Sequence, residues 1–186
     1  PPDAPELSRV ENRVIAAPAQ SLDAAAGFAR AQGCGVEILG DALEGEAREL
    51  AKAHAALAMR RQVGLAPGDA PLLLLSGGEC TVTRRGDGVG GPNAEYALAL
   101  ALALRRAPGI HALACDTDGV DGAAEVAGAV IGPDTLTRAR DAGEDPGGAL
   151  ARNDAHSFFA ALGDQVVPGP TLTNVNDFRA ILIFPR

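Results

Sequence analysis

The stretch "YALALALALRR", Tyr96 to Arg106, decides the fold. Taken by alternation, Ala97 to Leu104 reads as a strand. Taken by composition it is a helix, because Ala and Leu are the strongest helix formers and Ala is not a solvent-facing polar residue. The Pro92-Asn93 entry and the Arg105-Arg106 exit also suit a helix. On a helix, Leu98 and Leu102 lie nearly opposite Leu100 and Leu104, so this segment is expected to be buried on two sides rather than one.

With that segment helical, the chain alternates strands and helices. "RVIAAP" (Arg13 to Pro18) and "VEILG" (Val36 to Gly40) read as strands. Between them lies the helix "LDAAAGFARAQ", with Ser21 as its expected N-cap. Glu44 to Arg61 places Ala47, Leu50, Ala51, His54, Leu57 and Ala58 on one helical face. Leu72 to Leu75 are continuously apolar, as in a strand covered on both faces, and Ser76-Gly77-Gly78 breaks it. "CTVTRR", Cys80 to Arg85, reads as its hairpin partner. Ile110 to Ala114 is a further strand. Asp154 is expected to cap "AHSFFAAL", and residues 165–184 read as strand, polar loop and strand. The pattern implies a three-layer α/β/α fold with a mixed, largely parallel, Rossmann-like sheet. Residues 1–66 form a βαβα lead-in to it.

The 186 residues fit one domain or a tight pair. Hydrophobic residues make up 47% and aromatics only 3%, so aliphatic side chains must fill the core. A net charge of −8 repels phosphate backbones, and the arginine pairs Arg60-Arg61, Arg84-Arg85 and Arg105-Arg106 form no basic stripe. Nucleic acid is therefore not expected as a partner. No apolar run approaches the ~20 residues of a spanning helix. Cys34, Cys80 and Cys115 have neither metal nor redox spacing, which points to reduced thiols and the cytoplasm. A carboxylate beside Cys115 raises a thiol pKa and argues against a nucleophile.

Four polar, glycine-rich segments adjoin a strand or open a helix: Ser76 to Glu79, Gly86 to Glu95, Asp116 to Gly122 and Thr171 to Asp177. In α/β sheets, ligands bind outside the carboxyl ends of strands. Asp116, Asp118 and Asp121 fall within six positions straight after a strand. They suit Mg²⁺ binding or acceptance of a substrate proton. On spacing alone they suit better a turn whose Asp side chains bond local N–H groups. A helix–loop–helix calcium site is excluded, since the fifth and twelfth positions from Asp116 are Val120 and Ala127.

Gly86 to Gly91 matches G-x-G-x-x-G, with Asp116 following, which raises NAD(P)H binding. A plainer mechanism lets the backbone at Gly90 and Gly91, with the Asn93 helix start, cradle an anion. No nucleotide-triphosphate loop or nucleophile elbow is present. The lone lysine, Lys52, falls inside a helix. His156 is placed to cap or orient.

"LLLLSGGECTVT", "GVGGPNAEYALALAL", "ACDTDGVDG", "NDAHSFFAAL" and "GPTLTNVND" occur in that order between Pro71 and Ile183. Together they resemble the C-terminal MOFRL region of the glycerate 2-kinase family, whose members are often labelled hydroxypyruvate reductase. The resemblance implies residues 71–183 as that region of a two-domain α/β enzyme. The reaction it implies is ATP plus D-glycerate giving 2-phosphoglycerate and ADP, with Mg²⁺ as cofactor. The active site lies in the cleft against an N-terminal domain that supplies a lysine. Carried over by motif, Glu79, Asp118 and Asn174 line the glycerate and phosphate site, with Asp118 as base or metal-orienting carboxylate. Ser76, Gly77, Gly78, Gly90, Gly91, Asn93, Thr173 and Asn176 are expected to contact substrate or phosphate, with Asp177 a further second choice, and Asp116 and Asp121 a metal. The chain departs from the family at Pro92, where many members carry Arg, so a charge-assisted clamp is absent there. An NAD(P)H-dependent reductase of hydroxypyruvate and a non-catalytic binding or assembly domain stand as alternatives, and a homo-oligomer is left open.

Overall fold

The computed structural model describes residues 9–11, 13–122 and 124–186. Helix α1, Pro18–Ala31, opens with proline at its first position, where a fixed φ and a missing N–H suit a helix start. Gln20 accepts the Ala17 N–H at 3.2 Å. The start therefore falls before the expected cap, and Ser21 lies inside the first turn, donating to the Pro18 carbonyl. Arg13 to Ala17 is not a strand, in contrast to the sequence expectation.

Strand β1, Gly35–Gly40, is followed by the two-residue β2, Gly45–Glu46, and helix α2, Ala47–Val63. Strand β3, Leu72–Gly78, leads to the short β4, Cys80–Thr81. The expected hairpin between them does not form. The Leu43 N–H donates to Gly77 and the Glu79 N–H to Leu43, which swings the chain off the main sheet. β4 then pairs parallel with β2. Gly78 makes this possible with φ at 117°, and any Cβ there would collide with the Leu43 backbone.

Helix α3, Pro92–Leu104, confirms the helical reading of the alanine–leucine run. Leu98, Leu100 and Leu104 are buried. α2 packs on one side of α3 and strands β5, Ile110–Asp116, and β6, Gly128–Ile131, on another. Each such leucine contributes roughly 1.5–3 kcal/mol by burial. Its two-sided burial is thus met within this chain.

Helices α4 (Thr135–Asp141), α5 (Pro146–Ala151) and α6 (Ala155–Leu162) precede β7, Gln165–Val166, and β8, Asp177–Ile183.

The main sheet runs β1-β3-β8-β5-β6-β7. β1, β3, β5 and β7 share one direction, and β8 and β6 run against them. Most strands are therefore parallel in direction, yet only β1–β3 are parallel neighbours, because the C-terminal strand inserts between β3 and β5. The layers follow from side-chain alternation. Leu74, Ile181 and Ile183 face α2 and α3, while Leu73, Leu75, Phe178 and Ala180 face α1. α1 leaves part of its face open, a trough of about 450 Å³ floored by Leu73, Leu113, Val130 and Leu182. Among the described residues no helix is long and apolar enough to cross a membrane.

Candidate functional site

β8 fixes where the site must be. Its first residue, Asp177, pairs with Gly78 at the end of β3 and with Asp116 at the end of β5. Adjacent strands lie about 4.8 Å apart. Residues that follow β3, follow β5 and precede β8 therefore meet along one edge. Glu79, Asp118 and Asn174 all lie on that edge, although they span nearly a hundred positions of sequence.

The acidic turn is built from its own carboxylates. Asp116 accepts the Asp118 N–H at 2.9 Å, and Asp118 accepts the Val120 N–H at 2.8 Å. These are the local Asx bonds that Asp supplies in turns. The second oxygen of Asp118 accepts the Asn174 amide N–H at 3.0 Å. Thr117 fastens the two loops. Its hydroxyl donates to the Asn176 carbonyl at 2.8 Å and accepts the Val175 N–H at 2.8 Å. Asn174 accepts the Asn176 N–H at 3.0 Å. Leu172 and Asn176 hold φ of 60° and 64°, which is uncommon for residues other than glycine. Asp118 is half-buried, and Thr173 and Asn174 are exposed.

Burial pushes the Asp116 carboxyl up to about 6, helped by Asp118 and Asp177 and opposed by the Asp118 N–H. Burial first, then Asp116, pushes the Cys115 thiol up to about 11, so it is protonated and a poor nucleophile.

Asp121 has a different task from the metal role expected of it. It is 1% exposed. One of its oxygens accepts the Asn93 N–H at 2.9 Å, and the other accepts the Ala94 N–H at 2.8 Å. It thus caps the N-terminus of α3, satisfying two of its unpaired donors and its dipole. His156 Nε2 lies 3.0 Å from the Asp121 carbonyl and 3.3 Å from its carboxylate. Burial alone would lower the His156 pKa, but these contacts raise it overall. Among the described residues no three His, Cys, Asp or Glu side chains gather as a metal centre.

The same contacts correct the anion cradle expected at Gly90, Gly91 and Asn93. The carboxylate of Asp121 already occupies the start of α3, and a Cβ at Gly91 would collide with it. Asn93 is buried and donates its amide to Asp177 at 2.6 Å. The preceding glycine loop is also filled by protein. Asn153 accepts the Arg85 and Gly86 N–H groups at 2.6 and 3.0 Å, and the Gly88 N–H donates to Arg152. These glycines allow backbone to approach backbone, which accounts for them without a ligand. Glu95 is likewise internal, paired with Arg48 at 2.5 Å and with Asn153 at 2.8 Å. Ser76, Gly77 and Gly78 are buried in the β3–β8 ladder, so of that segment only Glu79 is exposed.

One ion pair was missed in the sequence, which offered Asp177 only as a substrate contact. Asp177 and Arg179 form a buried ion pair, and Asp177 also accepts the Cys80 N–H at 3.0 Å. Burial raises the Asp177 carboxyl despite Arg179. Arg179 lies over the Tyr96 ring, 5.4 Å from its centroid, and the Tyr96 hydroxyl meets His54 at 2.7 Å. Burial drives His54 down to about 4, so it is neutral. The signal was available: in "DFRAILI" the alternation puts Asp177 and Arg179 on the face of Ile181 and Ile183.

Known proteins share this sequence pattern and fold. A protein of Agrobacterium vitis, provisionally named a hydroxypyruvate reductase, is 53% identical over 176 residues, covering 93% of this chain and 40% of the relative. D-glycerate 2-kinase of Thermotoga maritima is 35% identical over 177 residues, covering 95% of this chain and 42% of the relative. The crystal structure of glycerate kinase from Thermotoga maritima superposes with a TM-score of 0.90 at 34% identity, covering 95% of this chain and 43% of that one. This chain thus spans less than half the length of these relatives. The MOFRL family model matches residues 72–177, which run from the first residue of β3 to the Asp177 pivot and contain every segment of the rim. The chain belongs to the MOFRL family.

Proposed function

We propose that the rim formed by Glu79, Asp118 and Asn174 is the acceptor half of a glycerate 2-kinase site. The reaction is transfer of the γ-phosphoryl group of ATP to the 2-hydroxyl of D-glycerate, giving 2-phosphoglycerate and ADP. The observation that carries this reading is the Asn174 amide bound to Asp118 at 3.0 Å, with Glu79 on the same edge. Membership of a family with glycerate kinases among its relatives supports it.

In this mechanism Asp118 is the proton acceptor. Its N–H partners, Val120 and Asn174, hold the carboxylate in place. The substrate hydroxyl gives its proton to Asp118 as its oxygen bonds to phosphorus and the bond to the ADP oxygen breaks. Such acceptance contributes typically 10²–10⁴-fold. Thr173 and Asn176 are our second choices for substrate contact. The acidic rim holds no lysine, since Lys52 is on α2 and pairs with Glu49. We assign the positive charge that the phosphates require to a second α/β unit, which the length of the relatives accommodates, and to Mg²⁺ arriving on the nucleotide. The chain alone is then expected to bind substrate and turn it over poorly. Three free cysteines fit a reducing compartment, and we place the protein in the cytoplasm.

The reductase reading has the name of the Agrobacterium relative in its favour. The protein-filled Gly86–Gly91 loop counts against it. A thermal-shift series with D-glycerate, Mg-ATP, hydroxypyruvate and NADH separates the two, because ligand bound to the native state raises stability by mass action. Stabilisation by D-glycerate that is lost in Asp118→Asn supports the kinase. Stabilisation by NADH and hydroxypyruvate alone contradicts it.

A further inference from the structure

Beside the rim, on the α1 side of the sheet, lies a cavity of about 540 Å³. It falls in the range of small-molecule sites. Cys115, Ala127, Val166, Pro168 and Val175 supply apolar walls, and Ala16 and Ala17 before α1 close one side. Its polar side chains are Gln20, Ser21, Asp116, Thr117, Thr171 and Thr173, with the Gln20 oxygen and the Ser21 hydroxyl engaged at the start of α1. The Thr117 hydroxyl is used by Asn176 and Val175, and the Thr171 hydroxyl by the Thr117 carbonyl. Asp116 is the one ionisable side chain of the lining with a carboxylate, and one of its oxygens is used by the Asp118 N–H. The other oxygen remains to accept a hydrogen bond.

This chemistry selects its occupant. The lining contains no Lys, Arg or His, so a glycerate carboxylate or a phosphate placed here would meet Asp116 without a counter-charge. An uncharged flat ring with an amino donor fits: the walls take its faces and Asp116 accepts its N–H. Asp116 is two residues from Asp118, so the cavity adjoins the acceptor rim. We propose that this cavity binds the adenine ring of a nucleotide, a site distinct from the acceptor rim. The naming of ATP as that nucleotide rests on the kinase reading, but adenine binding does not.

The test is calorimetric titration of the 186-residue chain with adenosine, which carries no phosphate, and with NADH as competitor. Val175→Trp fills the cavity from its wall. Thr173→Trp fills it from an exposed position, and circular dichroism confirms that each variant is folded. Saturable adenosine binding, weakened about tenfold or more (~1.4 kcal/mol) by a folded cavity variant and unchanged in Asp118→Asn, supports the proposal. NADH displacing adenosine also supports the adenine slot, since NADH carries the same ring. No saturable adenosine binding at millimolar concentration, or binding that folded cavity variants leave intact, overturns it.

Discussion

The Asn174 side chain donates to Asp118 across 56 positions of sequence, at 3.0 Å. It joins the loop before the C-terminal strand to the acidic turn after β5. The bond lies on an exposed edge, so its energetic worth to folding is small, and its consequence is where the Asp118 carboxylate points.

Asn174→Ala should therefore leave the thermal midpoint almost unchanged while weakening D-glycerate binding. In an active enzyme containing this chain, it should lower the turnover rate by up to about 10²-fold, the size expected when a reacting group is misplaced by about 1 Å. Asp118→Asn should cost about 10²–10⁴-fold. Steady-state kinetics with D-glycerate checks both.

Asp121 is predicted to behave as a structural cap. Asp121→Ala removes the partner of two α3 N–H groups and of buried His156, and should destabilise by about 2–4 kcal/mol. Chemical denaturation measures this. A chelator should leave the wild-type midpoint unmoved, since Asp121 holds α3 rather than a metal.

The Asp116 carboxyl has a folded pKa of about 6, above its ordinary 3.8. The native state then binds more protons than the unfolded state between about pH 4 and 6. Its contribution to stability is complete below pH 4 and is lost as pH rises through 6. Asp116→Asn, which keeps an acceptor for the Asp118 N–H, should flatten that slope and raise the midpoint at pH 7–8. His156 acts in a higher window: its raised pKa gives stability that is complete below 6.5 and lost above its folded value. Thermal midpoints from pH 4 to 8 distinguish the two.

Gly88→Ala tests the role of the glycine loop. The new Cβ would collide with Asp154, so we expect a loss of about 1–3 kcal/mol, the usual size for overpacking. NADH fluorescence should be the same in variant and wild type.

Much of this architecture was legible because aliphatic patterning has a direct physical cause. Leu72 to Leu75 read as a strand covered on both faces, and the alanine–leucine run read as a buried helix. The acidic turn read correctly as a strand end. What sequence could not show was set by long-range pairing. Nothing local in "CTVTRR" says that Cys80 pairs with Gly45 rather than folding back on β3. Nor does anything local say that β8 inserts between β3 and β5, a choice that buries Ser76 to Gly78. Pro18 and Gln20 carried a helix-start signal that Ser21 outweighed in the reading. For the glycine loop, the motif was real but its cause was not a ligand. Close approach to the Arg152–Asp154 backbone requires the same residues as close approach to a phosphate.

The central claim is that D-glycerate is held at the rim by Glu79, Asp118 and Asn174. Amide chemical-shift mapping of the isotope-labelled chain during a D-glycerate titration tests it most directly. Saturable shifts confined to residues 79, 116–122 and 171–177, and abolished in Asp118→Asn, are predicted. Shifts that fall on another edge of the sheet, or none at saturating D-glycerate, would contradict it.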